Sequence, residues 1–292
     1  MSSKRNVVRL GFTSKPLDES AENFMHPLIT SIQNPKIKNI LSLEKSRERK
    51  KQNQFVIEGV KEVELAIDSG YKVDSVFFCP TIIASSDVLS IIKNEQLLVP
   101  VHENVFNKIA YRESTGGVIA LAEQKQHSLS AIKLRKNPLL LILESVEKPG
   151  NLGAVLRTAD AAGTDAVIIC DPLVDLYNPN VIRSSVGCLF SNQLASASTE
   201  ETIGWLNENH ILIYCTYLGA SRPYHEVDFN KPCAIVMGTE STGLSKRWID
   251  HSSQNIIIPM QGKIDSLNVS TAAAIVVFEA SRQRGFNTSD NN

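Results

Sequence analysis

Apolar positions along the chain alternate between short continuous runs and helical spacing, and this alternation outlines two α/β units. In the first, a basic helical stretch beginning near Ile29 leads to a strand at Phe55 to Ile57, which Gly59 stops. Val60 to Ser69 keeps its apolar residues on one helical face and closes at Gly70. Strands are predicted at Val73 to Phe78, Leu97 to Val101 and Gly117 to Ala122, with helices near Asp87 to Lys93 and at Glu103 to Ala110. Residues 123–138 are polar and basic, lack a strand signal and end in Pro138, the pattern of a linker. The second unit, 139–285, has strands at Leu139 to Leu143, Ala166 to Cys170, Ile211 to Cys215, Ala234 to Met237 and Ile256 to Ile258. Its helices are predicted up to Gly163, at Glu200 to Asn209 and over the apolar series ending near Ala280. Residues 1–27 show no period and are expected to form a flexible leader, with a disordered tail at 286–292.

Composition narrows the class. A chain of 292 residues with 42% hydrophobic and 21% charged positions is long enough for two packed domains and too apolar for a disordered one. Its five cysteines show no CxxC and no metal-ligand spacing, which points to buried free thiols in a reducing cytoplasm. The N-terminal apolar run is too short for a signal peptide or a membrane span. A net charge of −1 conceals one basic segment, where Lys36, Lys38, Lys45, Arg47, Arg49, Lys50 and Lys51 face only Glu44 and Glu48. Such a stripe suits an anionic partner, with nucleic acid the obvious candidate, or else forms a solvated helix face laced with Glu–Arg pairs.

Candidate chemistry gathers in the second unit. The stretch Ile256 to Ala280 reads as strand, polar loop and helix, with Gln261, Gly262, Lys263 and Asp265 in the loop and Ser266 and Asn268 at capping positions. Loops of this kind bind ligands in α/β proteins, though an ordinary capped turn has the same pattern. Pro149 and Gly150 force an earlier turn, and Asn151 can cap the helix that follows. Leu152, Val155 and Leu156 supply its buried face, so Arg157 and Asp160 point elsewhere. After the strand ending at Met237, Gly238 and Gly243 flank Glu240 and leave room for the backbone to approach a ligand.

Three stretches, PGNLGAVLRTA, IVMGTESTGLS and IPMQGKIDSLNVSTAAAIVVFEA, together resemble the three motifs of the SpoU (TrmH-like) ribose methyltransferases of the SPOUT class. The intervening DPLVDLYNPNVIRSS fits the same family, whereas Lys148 stands where its members often have Asn. NPKIKNILSL and FVIEG make the first unit similar to the L30e-like substrate-binding domain of rRNA-modifying members. The resemblance implies a deep trefoil knot in the second domain, S-adenosylmethionine as cofactor, no metal, and 2′-O-ribose methylation of RNA, foremost ribosomal RNA. A tRNA substrate and a non-catalytic RNA-binding dimer are the alternatives. At matching positions Gly238, Ile258 and Leu267 would cradle the adenosyl group, with Met260 and Thr239 nearby. Arg157 would act on the ribose hydroxyl, and Asn151, Glu240, Asn268 and Ser270 would orient it. The helix containing Ala272, Ala273, Ile275, Val276, Val277 and Phe278 is apolar nearly all round, which together with the family implies a homodimer through the second domain.

Overall fold

The computed structural model describes residues 25–111, 116–219, 221–239 and 242–286, so most of the expected leader, nearly all of the tail and Glu240 lie outside the described residues. The basic stretch forms two helices rather than one, α1 (Pro35–Ser42) and α2 (Ser46–Gln52). Pro35 occupies the first turn of α1, where a missing N–H is harmless, and the Asn34 side chain accepts from the Lys36 amide. There follow β1 (Gln54–Glu58), α3 (Val60–Asp68), β2 (Val73–Phe78), α4 (Ser85–Ile92), β3 (Leu98–Pro100), α5 (Glu103–Ile109) and β4 (Val118–Glu123). The sheet order is β1-β4-β2-β3, with β4 antiparallel to both neighbours and β2 parallel to β3.

The second unit contains β5 (Leu139–Glu144), α6 (Pro149–Ala162), β6 (Ala166–Cys170), α7 (Pro179–Ser184), α8 (Cys188–Ser191), β7 (Leu194–Ala197) and α9 (Thr199–Glu208). It continues with β8 (Leu212–Thr216), β9 (Arg222–Pro223), β10 (Cys233–Met237), α10 (Lys246–Asp250), β11 (Gln254–Ile257) and α11 (Val269–Gln283). Its seven strands are all parallel, in the order β7-β6-β5-β10-β8-β11-β9. β5, β6 and β10 are buried along their whole length, as expected for a parallel sheet covered on both faces. Because β10 returns between β5 and β8, the carboxyl ends of β8, β10 and β11 open side by side, where such sheets place their ligands.

The segment between the sheets is strapped down. Arg135 donates to Asp165 from Nε at 2.8 Å and from Nη2 at 2.9 Å, and the His127 carbonyl accepts from the Ser196 amide at 2.9 Å. The two units also share one continuous apolar core, in which Phe55 lies 4.3 Å from the ring of Tyr177 and Tyr71 lies 5.0 Å from Phe190. Arg49 departs from the expected basic stripe: it is 1% exposed, and its guanidinium donates to Asp175 of the second unit at 2.6 and 2.9 Å. A cation so enclosed cannot reach a nucleic acid, so Arg49 is a structural residue of the interface.

Candidate active site

A cleft of about 720 Å³ lies over the carboxyl ends of β8, β10 and β11. Gly238, Thr239, Ile258, Met260 and Leu267, the residues matched to cofactor binding, all line it, as does Asn268. Its floor is apolar, with Met237, Ile256, Ala272 and Val276, while Asp265 and Ser266 bring polar groups to its edge. One wall is a tight turn in which Thr239 and Gly243 exchange backbone hydrogen bonds at 3.1 and 3.2 Å. The Thr239 hydroxyl reinforces it by accepting from the Thr242 amide at 3.0 Å. Gly238 lines the cleft and also serves this turn, since the space its missing side chain leaves is filled by main chain. A Cβ there would fall 2.3 Å from the Gly243 carbonyl carbon and 2.5 Å from the Leu244 nitrogen.

Asn268 joins the cleft to the helix of the first motif. Its Oδ1 caps α11 by accepting from the Ser270 amide at 2.9 Å and the Ser270 hydroxyl at 2.6 Å. Its Nδ2 donates to Asn151 Oδ1 at 3.2 Å, so Asn151, Asn268 and Ser270 are in one cluster. A smaller cavity lined by Lys148, Asn151, Gly238, Thr239 and Val269 adjoins the cleft at this cluster. Asn151 is not the cap of α6. That position belongs to Lys148, in extended conformation, with Pro149 beginning the helix and Asn151 inside the first turn.

Arg157 stands apart. It is six residues after Asn151 on α6, a separation of about 9 Å along the axis and about a third of a turn around it. The structure leaves it exposed and outside the cleft lining. Among the described residues no side-chain hydrogen bond or ion pair engages its guanidinium. Lys45, Arg47, Lys50 and Lys51 are also exposed, on α2 and at its start, and none of them lines the cleft.

Two supporting residues escaped the motif reading. Glu144, buried at the end of β5, accepts from the Ser245 amide at 2.7 Å and the Thr199 hydroxyl at 3.3 Å. It thereby holds the chain just after the Thr239–Gly243 turn; a lone acid closing an otherwise apolar strand was the available signal. Gly153 lets α6 approach α7 so closely that a Cβ there would lie 1.8 Å from Ser184 Oγ. None of the five cysteines lines the cleft. Burial pushes the thiols of Cys170 and Cys215 up to about 12 and that of Cys188 up to about 11, so they stay protonated at neutral pH.

Fold and cleft define a two-unit α/β protein whose larger, parallel-sheet domain carries a cleft of small-molecule size beside a capped helix. Comparison with known proteins supplies the family. The sequence model of the SpoU rRNA Methylase family matches residues 138–278, and that of the MRM3-like substrate binding domain matches residues 34–120. The chain is 30% identical to the 23S rRNA (guanosine(2553)-2′-O)-methyltransferase RlmP of Bacillus subtilis (strain 168), over 86% of this chain and 97% of that one. An AdoMet-bound rRNA methyltransferase from Sinorhizobium meliloti superposes with a TM-score of 0.80 at 31% identity, covering 88% of this chain and 97% of that one. The SpoU methyltransferase AviRb from Streptomyces viridochromogenes, in complex with AdoMet, gives a TM-score of 0.79 at 26% identity, covering 87% and 100%. The chain belongs to the SpoU rRNA Methylase family.

Proposed function

We infer that this chain transfers a methyl group from S-adenosylmethionine to a ribose 2′-hydroxyl of ribosomal RNA. The observation that carries the inference is the cleft, which brings Gly238 and Thr239 of one motif together with Ile258, Met260, Leu267 and Asn268 of another. Its volume is in the range of small-molecule sites, and its apolar floor with a polar edge suits an adenosyl group. RlmP and the Sinorhizobium meliloti protein are rRNA methyltransferases by name, and two solved neighbours hold AdoMet.

When bound, S-adenosylmethionine supplies a methyl group on a cationic sulfonium. The chain contributes position and charge. The Asn151–Asn268–Ser270 cluster locks the N-terminal ends of α6 and α11 together, fixing the side of the cleft where a ribose would lie. A guanidinium is a poor base, so the chemistry that suits Arg157 is stabilisation of a forming alkoxide rather than proton abstraction. Its exposure favours a site completed at a subunit boundary. A homodimer through the second domain is part of this proposal, supported by α11, which buries Ala273, Val276, Val277 and Ala280 but leaves Phe278 41% exposed. The trefoil path is proposed likewise, supported by the cleft segment 258–268 running between β11 and α11 while Ser281 Oγ on α11 donates to the Ala162 carbonyl of α6 at 3.1 Å. Among the described residues no helix is long and apolar enough to cross a membrane, and all five cysteines are free, which supports a cytoplasmic place of action.

The test is transfer of radiolabelled methyl from S-adenosylmethionine to total RNA, ribosomal and transfer RNA together, taken from cells lacking the gene. Label in a ribose of rRNA is expected, lost in Arg157→Ala with cofactor affinity retained. Label confined to tRNA would redirect the assignment, and cofactor binding without transfer to any RNA would reject the reaction.

A further inference from the structure

Domains joined by a small polar interface are expected to move relative to one another. The interface here is of another kind. Arg49 has its guanidinium satisfied within it, donating twice to Asp175 Oδ2, at 2.6 and 2.9 Å, and to the carbonyls of Leu43 and Glu44 at 2.7 and 2.8 Å. The other Asp175 oxygen accepts from the Tyr177 amide at 3.0 Å. The Tyr177 hydroxyl accepts from the Lys125 amide at 2.8 Å and lies 2.9 Å from His127 Nε2, while its ring packs on Phe55. The segment from Asp175 to Tyr177 is therefore a plug from the second unit, seated in the first unit and in the strap between them.

A buried ion pair seldom stabilises a fold more than well-packed apolar residues would, because desolvation offsets the attraction. What it does impose is one geometry, since Nε and Nη2 of a planar guanidinium share one carboxylate oxygen while Nη1 is held by two fixed carbonyls. The plug continues directly into α7, which packs against Gly153 of α6, the helix that carries Asn151. On the other side, α2 turns Arg49 inward while Arg47, Lys50 and Lys51 face solvent from the same two turns. One short helix thus carries both the interface anchor and the exposed cations.

We propose that Arg49, Asp175 and Tyr177 form a clamp that sets the angle between the two units, so that RNA held on the cations of α2 presents its target ribose to the cleft at a fixed distance. These are positioning residues, and the proposal rests on the methyltransferase reading above. The test uses the full chain with spin labels at Ser90→Cys and Glu208→Cys, exposed positions on α4 and α9. Interdomain distances are measured by pulsed electron resonance, and methyl transfer by steady-state kinetics on rRNA from cells lacking the gene. Asp175→Asn is expected to broaden the distance distribution and raise KM for rRNA by about ten- to a hundredfold, with S-adenosylmethionine affinity unchanged. Asp175→Glu, which keeps the charge, should recover most of the loss. A folded Asp175→Asn protein with the wild-type distance distribution, or with KM for rRNA unchanged, would overturn the clamp, as would a loss falling on cofactor affinity instead. If Asp175→Asn does not fold, Tyr177→Phe, which removes the hydroxyl and keeps the ring, is read by the same criteria. A wild-type chain that methylates no rRNA would remove the functional reading, and the distance measurement would then decide alone whether the clamp holds the units.

Discussion

Replacing Gly153 by alanine should destabilise the protein even though alanine is the better helix former. An ideal Cβ at position 153 would meet Ser184 Oγ at 1.8 Å, Ser184 Cβ at 2.8 Å and the Ser185 nitrogen at 2.8 Å. The hydroxyl can rotate away, but only by giving up its bond to the Asn180 carbonyl at 2.6 Å. Ser184 Cβ and Ser185 N cannot rotate, so α6 and α7 have to separate by roughly 1 Å to restore ordinary contact. Overpacking of this kind costs about 1–3 kcal/mol. The lost hydrogen bond adds about 1 kcal/mol. Against both stands a helix-propensity gain of about 1 kcal/mol. The net expectation is destabilisation by about 1–3 kcal/mol, measured by equilibrium urea unfolding. Because α6 carries Asn151, methyl transfer should fall more than stability does, by roughly tenfold or more at temperatures where the variant is folded. Adding Ser184→Gly should recover only part of both, since the Ser185 nitrogen stays in place. A Gly153→Ala protein as stable as wild type, or more so, would show that the close approach of α6 and α7 is not a constraint in solution.

Gly238→Ala should open the Thr239–Gly243 turn, because the added carbon meets main-chain atoms that cannot swing aside. S-adenosylmethionine affinity by calorimetry should drop roughly tenfold, about 1.4 kcal/mol, and unchanged affinity would separate the turn from the ligand. His127 is held down to about 4, first by burial and then by the nearby charge of Lys125, whereas the unfolded residue titrates near its ordinary value of 6.5. The unfolded state therefore takes up the proton first as pH falls: the stabilisation is whole above pH 6.5 and is lost progressively on going down to about 4. It amounts to up to about 3 kcal/mol, and urea unfolding of His127→Gln should show a flatter pH dependence across that window; curves parallel to wild type would contradict it. Lys50→Glu with Lys51→Glu should weaken RNA binding and lower the slope of log affinity against log salt by roughly 1.4–1.8 if both lysines meet phosphates. An unmoved slope would leave them as a solvated face.

The strands and longer helices were legible in the sequence because their apolar residues keep one period over enough positions to be seen. β2 and β6 fall where the pattern places them, and α11 begins at the Asn268 cap. α7, with six residues, and β9, with two, are too short to show a period, and tertiary contacts alone define them. The cleft residues were found through three ordered motifs, not through any local property, since Leu267 and Ile258 have no individual signature of a ligand site. Composition misplaced Arg49, because a basic run does not reveal which of its residues turns inward; Asp175, more than a hundred residues later, decides that. Gly238 lines the cleft, but the space a side chain would need there is taken by the chain's own Gly243 and Leu244, an encounter that no sequence spacing shows.

The most direct test of the assignment is a map of ribose 2′-O-methylation across total RNA from cells with and without the gene, and from cells carrying Arg157→Ala. A 2′-O-methyl group should disappear from a ribosomal RNA nucleotide in the deletion, return with the wild-type gene, and stay absent with the variant. An rRNA methylation pattern identical in all these cells would contradict it.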